Sequence, residues 1–120
     1  MKLPNADRAI IGDDKLHQYC LNPGHSEGSH KAYLFSKLLG ISQNNSEELR
    51  EILRGINDTE QVAFHRPNEY GMLYYIDSMI TRPERTFRIR TIWIVRENED
   101  FPRFVSCYLK RRRPAERGTP

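Results

Sequence analysis

Two short pairs in the 120-residue chain combine side chains that can move a proton with side chains that can hold a phosphate. His30-Lys31 stands at the start of an apolar-periodic helix pattern, and Arg90-Thr91 lies in the middle of an alternating strand pattern. An imidazole titrates near pH ~6.5 and can serve as base or acid. Lysine and arginine can stabilise a charged phosphorane, arginine through two parallel hydrogen bonds. Together with the phenol of Tyr108, this set can cleave RNA without a metal, because the ribose 2′-hydroxyl is its own nucleophile. The protein need only take that proton, protonate the leaving 5′-oxygen and hold the extra charge on phosphorus.

Each of these residues also has a plainer reading. His30 and Lys31 fit exposed first-turn residues, although a helix start already favours an anion through its free N–H groups and dipole. Arg90 fits an arginine turned to solvent, the cheaper place for a mid-strand cation. Trp93 fits a core residue as well as a base-stacking platform, and Tyr108 a sheet-closing phenol as well as a phosphate donor. His25, in a Pro/Gly loop, and Arg88, two residues before Arg90, are weaker substrate contacts. His17 and His65 read as surface histidines.

Familiar catalytic signatures are missing. The chain has no phosphate-cradling glycine loop, no GxSxG, no HExxH and no Cys/His metal spacing, and Asp77 is not part of a paired-carboxylate motif. Neither a metal nor an organic cofactor is expected. Cys20 and Cys107, far apart and outside any Cys-x-x-Cys, read as half-buried free thiols in a reducing cytoplasm, with one long-range disulfide as the alternative. No apolar run is long enough to span a membrane, and Met1 to Asp14 holds no signal-peptide core.

The elements that must position these groups follow from periodicity. An Asp13/Asp14-capped helix runs through Tyr19, with Leu16, Tyr19 and Cys20 on one face. Ser29 caps a second helix, His30 to Leu39, that Gly40 ends; Ala32, Phe35, Leu38 and Leu39 form its buried stripe. Asn45 with Glu48 reads as the capping box of a third, burying Leu49, Ile52, Leu53 and Ile56. The period then changes to two. Strands are expected over Gln61–His65, Tyr70–Ile80, Thr86–Arg96 and Arg103–Leu109, joined by short turns that favour an antiparallel meander. In the last strand Ser106 and Tyr108 are expected on the face opposite Val105, Cys107 and Leu109. The fold class is therefore α+β, with N-terminal helices packed on one face of a roughly four-stranded antiparallel sheet and the other face partly open. Residues 1–109 read as one domain and residues 110–120 as a basic, disordered tail. That tail holds five cations and one anion, +4 against a whole-chain charge of +3, which leaves −1 for the body. The basic tail can add phosphate affinity or simply be solvated.

The segments Leu3-Pro4-Asn5-Ala6, Leu21-Asn22-Pro23 with His25, Gly28-Ser29-His30-Lys31-Ala32, Phe35 and Leu39-Gly40 resemble the N-terminal half of a bacterial domain family of unknown function. Tyr70-Gly71, Arg90-Thr91-Ile92-Trp93-Ile94-Val95-Arg96, Glu99-Asp100-Phe101-Pro102-Arg103 and Cys107-Tyr108 resemble its C-terminal half. The likeness spans roughly residues 2–109. Such domains occur as small stand-alone bacterial or phage-associated proteins and as C-terminal modules of polymorphic and contact-dependent toxins. Their architecture is similar to the barnase–EndoU–colicin–RelE ribonucleases, whose site lies on the open sheet face. The turn Arg96-Glu97-Asn98-Glu99-Asp100 departs from the pattern, where a Pro-Gly pair is expected.

The resemblance implies a metal-independent endoribonuclease toxin acting on RNA, tRNA or mRNA, in the cytoplasm, neutralised by a cognate antitoxin or immunity protein. Carried over, His30 exchanges the proton, Lys31 and Arg90 stabilise the phosphate, Thr91 orients it and Tyr108 is a secondary contact. The competing reading is a non-catalytic RNA- or protein-binding module of a toxin–antitoxin or phage-related operon. A structural phage or secretion component is a third. The catalytic reading requires the helix start and the middle of the third strand to meet in one cleft.

Overall fold

The computed structural model describes residues 1–25 and 29–110. The expectations for Ser26-Glu27-Gly28 and for the tail beyond Lys110 lie outside the described residues. Three helices precede four strands, as the change of period predicts. Helix α1 covers Asp13–Lys15 and runs on as a π-type turn, Leu16–Cys20. Helix α2 covers Ser29–Leu34 and widens the same way over Phe35–Leu39. Gly40 ends it in the left-handed conformation, φ 72°, where a Cβ is costly. The regular helix expected over His30–Leu39 is thus six α-helical residues and a wider turn, and Ser29 is its first residue rather than its cap.

Helix α3, Ser46–Thr59, follows a 3₁₀ turn at Gln43–Asn45. The capping box belongs to that turn: the Ser42 N–H donates to Asn45 Oδ1 at 2.7 Å, and the Asn44 N–H donates to Ser42 Oγ at 3.3 Å. Asn45 reaches Glu48 only as a donor, at 3.4 Å. Arg50 ties α3 to the N-terminal segment through the Ile11 carbonyl and Asp13.

The strands are β1 (Val62–Asn68), β2 (Gly71–Thr81), β3 (Thr86–Arg96) and β4 (Arg103–Leu109), paired antiparallel in the order 1-2-3-4. β1 extends past the expected His65, with Pro67 tolerated because β1 is an edge strand. At the other edge, Ile10 bridges β4 beside Arg103.

One sheet face is closed by the helices. Leu16, Cys20, Phe35, Leu39, Leu49, Leu53 and Ile56 meet Ile76, Ile80, Phe87, Ile89, Trp93, Phe104 and Cys107 in one core. Leu38 stays at the surface and Ile52 is half-buried, so the apolar stripes are narrower than their spacing suggests. Both thiols are free and fully buried, not half-buried as expected. Among the described residues no helix is long and apolar enough to cross a membrane.

Gly71, φ 158°, begins β2 against the end of β3. A Cβ there would collide with the Val95 carbonyl oxygen and stand 2.8 Å from Arg96 Cα. Gly71→Ala should therefore cost about 1–3 kcal/mol, the usual range for forcing atoms into a packed position. Urea unfolding followed by circular dichroism checks it.

Candidate active site

Helix α2 lies beside the β4 edge, and a cleft of about 310 Å³ opens between them, lined by His30, Lys31, Leu34, Phe35, Tyr108 and Leu109. Phe35, fully buried, anchors the helix, so the preceding turn leaves His30 exposed and Lys31 half-buried over β4. Lys31 Nζ donates to Ser106 Oγ at 2.8 Å and to the Tyr19 hydroxyl at 3.2 Å. It sits 4.9 Å from the Tyr19 ring centroid and 5.8 Å from that of Tyr108. The Tyr19 ring meets His25 edge-on at 4.9 Å.

Tyr108 stands directly across from Arg90 in the β3–β4 ladder, so the two share the open face. Arg90 grips the Asp77 carboxylate with both prongs, Nε to Oδ1 at 2.8 Å and Nη2 to Oδ2 at 3.0 Å. Lys110 Nζ adds a third bond to Asp77 Oδ2 at 3.2 Å. The Arg90 guanidinium also lies over the Phe64 and Tyr75 rings, 5.1 and 5.8 Å from their centroids. The Asp77 hydrogen bonds hold Arg90 well above its ordinary pKa, with the Tyr108 oxygen adding to the effect against the cost of burial. Reciprocally, Arg90 holds the Asp77 carboxyl below its ordinary value, and Lys110 helps against the opposing effect of burial. Two cations share one carboxylate, so the cluster keeps a net positive charge. A guanidinium has five N–H donors, and Asp77 engages two of them.

His30, Lys31 and Tyr108 thus line one cleft, Arg90 stands across the ladder from Tyr108, and His25 meets the Tyr19 ring. Arg88 lies on the same open face as Arg90, opposite Met79, and its carbonyl receives the Lys110 N–H at 2.8 Å. Thr91 and Trp93 stand elsewhere. Both are fully buried on the helix-covered face. Thr91 Oγ1 donates to the Ile76 carbonyl at 3.2 Å and accepts from Trp93 Nε1 at 3.0 Å, while the Trp93 ring meets Phe104 edge-on. The expectation that Thr91 orients a phosphate and Trp93 touches substrate is therefore corrected: alternation puts them on the opposite face from Arg90, where they satisfy each other.

Ser106 is a second correction. Trp93 pairs with Phe104 and Ile92 with Ser106, so Val105 is an extra residue in β4. That bulge leaves Ser106 as well as Cys107 buried, instead of alternating them. Ser106 Oγ lies 3.9 Å from Cys20 Sγ. The Cys20 thiol is lowered to about 7, first by hydrogen bonding from the Cys107 thiol and then by the Cys107 backbone N–H, Ser106 and the Lys31 charge, against burial. Cys107 moves up, because Cys20 takes its hydrogen bond and it is fully enclosed.

Sequence reasoning left Tyr19, Ser106, Asp77 and Lys110 out of the site. Asp77 had a usable signal: a mid-strand carboxylate in a segment that must pair with the arginine-bearing strand. A larger cleft, about 680 Å³, opens toward the end of β3. There Arg103 is bidentate on Glu99 at 2.9 and 2.8 Å, and the cleft holds none of the residues of the proton and phosphate set. Among the described residues no group of three or more His, Cys, Asp or Glu is placed to hold a metal ion.

Asp77 gives a pH prediction. Its folded pKa lies below the ordinary 3.8, so its stabilising effect is complete above that value and is lost as pH falls through the folded one. Asp77→Asn should lower stability by about 1–2 kcal/mol at neutral pH, the range for a partly exposed charge-assisted pair. The gap to the wild type should narrow as pH drops below 3.8, read as Tm against pH.

Comparison with known proteins adds a fold and a family. A chain of a contact-dependent growth inhibition toxin–immunity protein complex from Klebsiella pneumoniae 342 superposes with a TM-score of 0.67 at 16% identity, covering 90% of this chain and 98% of that one. At that identity the likeness is one of fold. No curated protein matches the sequence. The family model described as Domain of unknown function (DUF6883) matches residues 2–111, nearly the whole chain, and the protein belongs to that family.

Proposed function

We propose that the chain is a toxin module that cleaves RNA without a metal. The observation that carries this reading is the convergence of Lys31 and Arg90 on Tyr108, with the imidazole of His30 on the same cleft. The neutral imidazole takes the 2′-hydroxyl proton, the 2′-oxygen closes on phosphorus and the bond to the 5′-oxygen breaks. That oxygen leaves with a proton from solvent, giving a 2′,3′-cyclic phosphate and a 5′-hydroxyl end. Charge grows on the non-bridging oxygens as the ring closes. The Lys31 ammonium and the guanidinium N–H groups that Asp77 does not engage meet it. Tyr108, between them, supplies a further hydroxyl. The sheet face carrying Arg88 and Arg90 suits an acidic immunity protein, and the similar fold in a toxin–immunity complex supports such a partner.

That complex contains both a toxin and an immunity protein, and the body of this chain has a net charge of −1 without its tail. This favours, as a second reading, a binding module with no chemistry of its own. The two readings differ in what expression does to a bacterial cell.

Purified protein incubated with total RNA in EDTA should cut it and leave cyclic phosphate ends. His30→Ala should slow cleavage by at least about 100-fold, the low end for a general base, and Lys31→Met or Arg90→Ala by a comparable factor. Induction of the wild type alone should arrest growth, and His30→Ala should relieve the arrest. Intact RNA, or cutting equal in wild type and His30→Ala, would sink the catalytic reading and leave the binding module.

A further inference from the structure

We propose that Tyr19 and Ser106 are positioning residues that fix the Lys31 ammonium in the α2–β4 cleft, with the buried Cys20 sulfur behind Ser106. The kinetic consequence rests on the RNA-cleaving reading; the positioning itself does not. Lysine carries its charge on a flexible four-carbon stem and, unlike arginine, has no planar fork to orient it. Here two oxygens from different parts of the chain do so. The Tyr19 hydroxyl comes from the turn after α1, and Ser106 Oγ from β4, 75 residues from Lys31. They take two of the three ammonium N–H groups and leave one for an anion.

An ammonium can only donate, so Ser106 Oγ accepts from Lys31 and keeps its proton and a second lone pair for Cys20 Sγ, 3.9 Å away. Cys20 and Cys107 are free thiols fully buried beside Ser106. Through Ser106 the Lys31 ammonium is therefore tied to the core as well as to the cleft. The bulge at Val105 is what lets Ser106 and Cys107 both face Cys20, because regular alternation would turn one of them away. Ser106 is only 7% exposed, which removes it as a nucleophile and leaves it the positioning role. Tyr19 also braces the ammonium with its ring, 4.9 Å away, and is itself braced by His25.

The test reads the amine directly. The full chain is labelled with limiting acetic anhydride and the modification of each lysine followed by mass spectrometry, with Lys37 on the same helical segment as internal reference. If the wild type cannot be expressed, every variant is made in a His30→Ala background. Ser106→Ala and Tyr19→Phe should each raise the Lys31-to-Lys37 labelling ratio by at least about fivefold, the scale of one lost hydrogen bond to a charged group. Ser106→Thr, which restores the hydroxyl, should return the ratio to that of the wild type. A purely structural serine would change Tm and leave the ratio where it was. In cleavage assays Ser106→Ala should lower kcat with KM little changed. An unchanged ratio in Tyr19→Phe, which loses one oxygen and keeps the ring, overturns the proposal even if Ser106→Ala fails to fold. A wild type that does not cut RNA overturns the functional reading alone, and the labelling ratio still decides this one.

Discussion

A strand has two faces, and the burial of Trp93 decides how β3 uses them. The indole is fully enclosed, donates to Thr91 and packs edge-on against Phe104. With Ile89 and Phe87 on the same side, that face belongs to the core. Everything on the other face is then committed to the open side, including Arg88, Arg90 and, across the ladder, Asp77 and Tyr108. A slip of one residue would bury the arginines and expose the tryptophan. The register is thus held by the hydrophobic effect, and the candidate site is what that register leaves outside.

The open face is not a simple cationic display. Asp77 sits between Arg90 and Lys110 and cancels part of their charge. This costs electrostatic attraction for a phosphate but fixes the guanidinium, which stacks on Phe64 and Tyr75 as well. A preorganised donor spends less free energy on ordering when charge develops than a free one does. Lys31 follows the same logic with neutral partners, two hydroxyls in place of a carboxylate. The two cations neighbour Tyr108 from different elements, one from helix α2 and one from β3. Their relative placement depends on how closely α2 packs on the β4 edge.

Packing at that edge joins core and site. Cys20, Ser106 and Cys107 are all buried there, and two of them come from a stretch of β4 displaced by a bulge. The same contact that closes the core behind α2 therefore sets the surroundings of the lysine. Widening of α1 and α2 into π-type turns at Leu16–Cys20 and Phe35–Leu39 occurs on the segments that carry Cys20 and Phe35 into this region. Such turns are uncommon, and they concentrate where a side chain must be re-aimed.

Local pattern by itself determined the element types, the α+β order and most of the core. Period-two alternation marked β3 from Thr86 to Arg96, three- and four-residue spacing marked the buried stripes of α2 and α3, and Gly40 marked a helix end, because these are properties of near neighbours. His30-Lys31 and Arg90 were legible as candidates for the same reason: their chemistry is in the residue type. Only the tertiary structure decided which face of β3 turned inward, taking Thr91 and Trp93 out of the site. It also recruited Tyr19, Ser106 and Asp77. Those choices depend on the balance of burial over the whole sheet and on one extra residue at Val105; Asp77 and the alternation along β3 left a trace of them, but the sequence around Tyr19 and Ser106 carries none.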